Sequence, residues 1–155
     1  DKKMYTPVRN QINYNQFQLY GLISLRVLIG WHFLYEGISK ITNSYWSSAA
    51  FLMESKWVFS GWAQIILTNP SAVATVDFLN MWGLTAIGLG LICGCFARWA
   101  GIAGIILLGI YYLTNPPFLE LEYSMPTEGS YMIVNKNLIE IQVLVTYLQL
   151  LCKLL

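Results

Sequence analysis

Residues 19–41 read LYGLISLRVLIGWHFLYEGISKI, apolar enough to span a bilayer yet interrupted by Arg26, His32, Glu36 and Lys40. Ionisable groups in hydrocarbon cost kilocalories each, so they face a bundle interior or a water-filled cavity. At roughly 100° per residue, the four positions fall within an arc of about 120° of one helix. The helix therefore carries a single polar stripe. That stripe is the first place to look for function.

The rest of the chain fits the same solvent. Of 155 residues, 56% are hydrophobic, 15% aromatic and only 11% charged, far from the balance of a soluble domain. The length suits one domain over residues 1–155. Nine Lys/Arg stand against eight Asp/Glu, which leaves no basic face for nucleic acid.

Four segments reach the length of about 20 residues needed to cross a core of about 30 Å. They are residues 19–41, 72–96, 97–114 and 133–155. Length assigns them to helices where periodicity is silent. Asn69-Pro70-Ser71 marks a helix start at which Ser71 can cap, and Asn115-Pro116-Pro117 ends the third span. The expected fold is an all-α membrane protein, a bundle of four transmembrane helices. An amphipathic interfacial segment over residues 42–70 joins the first helix to the second.

That segment is too apolar for a plain loop. Trp46, Ala49, Ala50, Met53 and Trp57 recur with the spacing of a helix lying on the membrane surface, and Trp46, Trp57 and Trp62 suit the headgroup level. Residues 118–123 alternate as a short extended piece, after which Pro126 and Gly129 turn the chain back.

Charge sets the expected orientation. Lys2, Lys3, Arg9, Arg98 and Lys153 mark one side, whereas the opposite loops carry Glu54, Asp77, Glu120, Glu122 and Glu128. By the positive-inside rule both termini are cytoplasmic, with residues 1–18 as a cytoplasmic tail. Charges interrupt the first span and no convincing cleavage site follows, so it reads as a span and not as a cleaved signal.

Packing and chemistry follow from placement. Gly83, Gly90, Gly94, Gly101 and Gly104 lie on the second and third spans, Gly90 and Gly94 as a GxxxG pair that admits close helix approach. The short turn at residues 94–98 makes those spans an antiparallel hairpin. Glu36 and Lys40, and likewise Lys136 and Glu140, have i, i+4 spacing. These four converge with Asp77, Asn80 and Asn115 in the outer half of the membrane, which implies a hydrated cavity open outward. Glu36, Lys40 and His32 are the candidate catalytic residues, and Asp77, Asn80, Asn115, Glu140 and Arg26 the candidate ligand-binding ones. Arg26 stands apart and calls for a partner such as Gln149 or a carboxylate. The charges can equally serve only to set helix register, and His32 is either a proton relay or a satisfied interface histidine. With one histidine, bis-histidine haem is excluded, and no metal site is expected. Cys93, Cys95 and Cys152 lie on the reducing side, where disulfides do not persist. Cys-x-Cys is a weak redox or metal signal, and the thiols read as small packing residues.

Three stretches carry a family resemblance. LYEGISKI closing the first span, GLGLICGCFARWAGI across the hairpin and NKNLIEIQVLV opening the last span resemble the DoxX family, over roughly residues 19–152. The long Trp-rich insert at 42–70 departs from the shortest members. The resemblance implies a four-helix bundle in the bacterial inner membrane, tied to quinone-linked sulfur oxidation or to redox partner complexes. Membrane lipid and other protein subunits would then be its partners, and quinone its cofactor. The rival reading is a non-catalytic scaffold or assembly factor for a larger membrane complex. A small-solute or proton conduit is a third.

Overall fold

The computed structural model describes residues 15–56, 58–117 and 134–154, with side chains through Leu150. The tail before residue 15, the extended piece at 118–123, the turn at Pro126 and Gly129, and Trp57 lie outside the described residues. Within them the chain is helical: α1 Gln16–Thr42, α2 Ala49–Met53, α3 Ser60–Leu67, α4 Pro70–Cys93, α5 Ala97–Thr114 and α6 Lys136–Leu154. Among the described residues, α1, α4 and α5 are long and apolar enough to cross a membrane.

Helix ends follow local chemistry. The Asn15 N–H donates to Gln18 Oε1 at 3.0 Å at the start of α1, as in a capping box. Asn69, and not Ser71, is the N-cap of α4, because Pro70 takes the first helical position. Proline's fixed φ and missing N–H cost nothing there. The α4 helix stops at Cys93, short of residue 96, since Gly94 adopts φ 78° and its N–H returns to Gly90 O. Left-handed backbone is where glycine avoids a Cβ clash. The chain reverses within three residues and starts α5 at Ala97.

Gly94 thus serves the turn, while Gly90 packs as expected: a Cβ on it would fall 3.0 Å from Ala100 Cβ of α5. The closest approach to main-chain atoms lies between α1 and α4. A Cβ on Gly88 would fall 2.7 Å from Leu34 Cα and 2.8 Å from Gly30 O, and one on Gly37 would meet Thr85 N at 2.7 Å. Backbone rests on backbone there. On the other side of the bundle Gly101 and Gly104 of α5 receive Leu148 and Leu144 of α6. Around Gly83 there is nothing within 4 Å. Phe33, Leu84, Leu91, Leu108 and Leu144 fill the centre, while Trp31, Tyr35, Phe78, Trp82 and Trp99 stand exposed around the outside. A wall of that kind suits lipid and would be a liability in water.

The insert is two short helices, not one surface helix along the Trp46–Trp57 stripe. Tertiary hydrogen bonds break it up. Asp77 on α4 accepts from Ser48 N at 2.7 Å and Ser47 Oγ at 3.0 Å, fixing the entry to α2. Beyond α2, Ser55 Oγ donates to Thr114 O at 3.3 Å. Asn115 Nδ2 donates to Phe51 O at 3.2 Å. The segment is tied across the ends of α4 and α5.

Candidate functional site

Beneath α2 lies a cavity of about 580 Å³. The last turns of α1 supply His32, Glu36 and Lys40, α4 supplies Asn80, α5 supplies Tyr111 and its cap Asn115, and α6 supplies Lys136 and Glu140. Ser48, Phe51 and Glu54 of the tied insert roof it over. Polar side chains from four helices therefore line one cavity at one end of the bundle, without Asp77.

The charges pair across the cavity as well as along helices. Lys40 Nζ lies 3.6 Å from Glu36 Oε2, one turn away on α1. The other oxygen of the same carboxylate, Glu36 Oε1, faces Lys136 Nζ of α6, also at 3.6 Å. Glu140 reaches across to α1, where its Oε1 stands 3.1 Å from His32 Nε2. One carboxylate thus serves two ammonium groups, and the lone histidine is held by a second carboxylate that is only 15% exposed. Pairs like these are retained because an unpaired charge in such surroundings is expensive.

Aromatic rings enclose the ammonium. Lys40 Nζ sits 5.2 Å from the centroid of Trp46 and 5.8 Å from that of Tyr111, within reach of cation–π attraction. Phe51 stands edge-on to Tyr111 at 5.7 Å. Asn80 Nδ2 donates to the Tyr111 hydroxyl, which leaves the phenolic proton free to donate elsewhere. A flat ring with hydrogen-bonding oxygens matches such walls: aromatic faces on the sides, an ammonium and a hydroxyl as donors.

Two expected site residues belong elsewhere. Asp77 anchors the roof through Ser47 and Ser48 and does not line the cavity. Arg26 lies far along α1, with its guanidinium against Gly94: a Cβ there would meet Nη1 at 3.0 Å. A cation at that point complements the C-terminal dipole of α4. Its Nε is buried with no hydrogen-bond partner, so neither Gln149 nor a carboxylate satisfies that atom. Conversely, sequence reasoning passed over Trp46 and Tyr111 as parts of the site. Trp46 reads as a headgroup anchor but is half-buried over Lys40. Tyr111 had one signal, a polar ring one turn before Asn115 on the apolar third span.

The cysteines also depart from expectation. Cys93 and Cys95 are exposed free thiols and fill no core.

Comparison with known proteins agrees with this architecture. The DoxX family model matches residues 21–115, which takes in the polar end of α1, the insert and the α4–α5 hairpin, and leaves NKNLIEIQVLV outside the match. No curated protein and no solved structure matches the chain. A match over more than half the chain, on helices long and apolar enough to cross a membrane, makes this a membrane protein of the DoxX family.

Proposed function

We propose that the chain is a multi-pass subunit of a redox-associated complex in the bacterial inner membrane, a single domain over residues 1–155 with α6 as fourth span. Both termini are cytoplasmic and the cavity lies in the outer half of the membrane. The observation that carries this reading is the roofed cavity itself, with aromatic walls around a paired ammonium and a carboxylate-held imidazole. Its volume of about 580 Å³ falls in the range of small-molecule sites.

The residues fit a quinone head group. Trp46, Phe51 and Tyr111 offer faces and edges to a planar ring, and Lys40 and the Tyr111 hydroxyl donate to carbonyl oxygens. A bound quinone would supply two-electron, two-proton redox chemistry, with electrons from a partner subunit or a second substrate, because the chain has no recognisable redox-cofactor motif. The chain's own part is to hold and orient the ring beneath α2 and keep protons at His32 Nε2 and Lys40 Nζ. Glu140 and Glu36 hold those two groups in place. Asp77 anchors the insert that covers the cavity, and Arg26 stays outside the site.

A non-catalytic scaffold is the second reading, favoured by the way the cavity charges satisfy one another within the chain. Extraction of the gently solubilised wild-type protein separates the two. Under the first reading quinone accompanies it, and Lys40→Met cuts retention about tenfold, the equivalent of about 1.4 kcal/mol. A well-folded protein without quinone that co-purifies stoichiometrically with a larger complex would replace the first reading with the second. Orientation is checked in a cysteine-free background with an impermeant maleimide on intact spheroplasts. Position 53, as Met53→Cys, should label, and position 98, as Arg98→Cys, should not.

A further inference from the structure

At the opposite end of the bundle from the cavity, the α4–α5 turn carries two thiols, with one glycine between them in sequence. We propose that Cys93 and Cys95 form a surface dithiol that exchanges with the disulfide of a thiol-bearing partner and closes to a Cys93–Cys95 disulfide. This site is independent of the cavity and of what the cavity binds.

Exposure is the first observation, since both thiols are free and uncovered by the rest of the chain. A packing role would bury them. The turn's shape is the second. Cys93 is the last residue of α4, Gly94 reverses the chain at φ 78°, and the Cys95 Sγ folds back to 3.9 Å from the Cys93 carbonyl oxygen. The second thiol therefore lies against the backbone of the residue that bears the first. The Arg26 guanidinium braces the turn from α1, close enough that no side chain could replace the hydrogen of Gly94 without meeting it. Arg98 is exposed in the first turn of α5, so the turn carries net positive charge, which favours approach of anionic partners. Finally, α4 and α5 are both long and apolar enough to cross a membrane. The turn that joins them emerges from the hydrocarbon where a water-soluble thiol can reach it.

The chemistry balances without further reagents. One thiolate of the pair attacks a sulfur of the partner disulfide R–S–S–R′, forming a mixed disulfide with R and releasing R′S⁻. The neighbouring thiolate then attacks the protein sulfur of that mixed disulfide, RS⁻ leaves, and the Cys93–Cys95 bond closes. The partner gains two electrons and the pair loses two. Excess partner thiol drives the reverse.

Oxidised glutathione is the probe, with intact-mass readout on the full chain in nanodiscs and Cys152→Ala as background. The pair should lose two hydrogens and retain no glutathione. Cys93→Ser and Cys95→Ser should each retain one, releasing it at least about tenfold more slowly than the pair does, because no resolving thiol remains. Both positions are exposed, so size-exclusion profiles should match the parent. Stable glutathione adducts on the intact pair, at the rates of the single variants, would overturn the proposal. So would thiols that fail to react while the folded profile is unchanged.

Discussion

Helix α1 has two seams of opposite character. Along α4 it presents Gly30 to Gly88 and Gly37 to Thr85, and the backbones approach until a single Cβ would collide with main-chain atoms. Along α6 it barely meets its neighbour, and long side chains bridge the space through Lys136–Glu36 and Glu140–His32. The first seam excludes everything. The second stands open, and the cavity occupies it. Small residues let helices close in lipid, where burial adds little. Charged side chains hold helices apart at the length of an ion pair, and so they create the space that they line. The function proposed for the cavity follows from that spacing.

The most damaging test strikes the closed seam. Gly88→Leu places side-chain atoms against Leu34 Cα and Gly30 O, which are backbone and cannot rotate away. The loss should exceed the 1–3 kcal/mol typical of roughly one overpacked site. Little monodisperse protein should survive detergent extraction on a size-exclusion column. A normal melting curve would mean that α1 and α4 are not in backbone contact.

The open seam should respond as a coupled network. Glu36→Gln leaves Lys40 and Lys136 facing each other without their shared carboxylate, and Lys40→Met leaves Glu36 with Lys136 alone. The double variant Glu36→Gln with Lys40→Met should melt closer to wild type than the two single losses predict, with a coupling of about 1–2 kcal/mol. Strict additivity would show that the charges do not act together.

A smaller effect is expected at the roof. Asp77→Asn weakens the acceptor for Ser47 Oγ and Ser48 N and should cost about 1 kcal/mol, as for a lost charged hydrogen bond. Hydrogen exchange should quicken over residues 47–53 and remain unchanged in α5. Uniform quickening would instead make Asp77 a residue of global stability. The mildest change, Gly83→Ala, meets no neighbour within 4 Å and should raise stability by about 0.5–1 kcal/mol through helix propensity alone. Destabilisation there would reveal a contact that the glycine pattern hides.

Much of this was legible in the residues because it rests on spacing within one segment. The polar arc of His32, Glu36 and Lys40 is a matter of helical period, and these three residues do line the cavity. The stop at Asn115 follows from two prolines that cannot continue a helix, and α5 ends at Thr114. The reversal near Gly94 follows from a glycine-rich break between two apolar runs. Which of eight acidic residues would line the site was another matter. Asp77 has the right depth on α4 yet turns to the backbone of the insert, while Glu140 reaches a histidine on another helix.

The sequence by itself determined the membrane setting, the long helices, the hairpin and the polar stripe of α1, since hydropathy, period and turn chemistry act over a few residues at a time. Only the tertiary structure decided that Gly30, Gly37 and Gly88 make the closest contact, that Trp46 and Tyr111 close around Lys40, and that Glu36 serves two lysines. It also decided that Cys93 and Cys95 lie exposed on the surface of the bundle. Those facts depend on how far each helix is rotated and slid against its neighbours. Local physics leaves that rotation and register open until all the helices pack together.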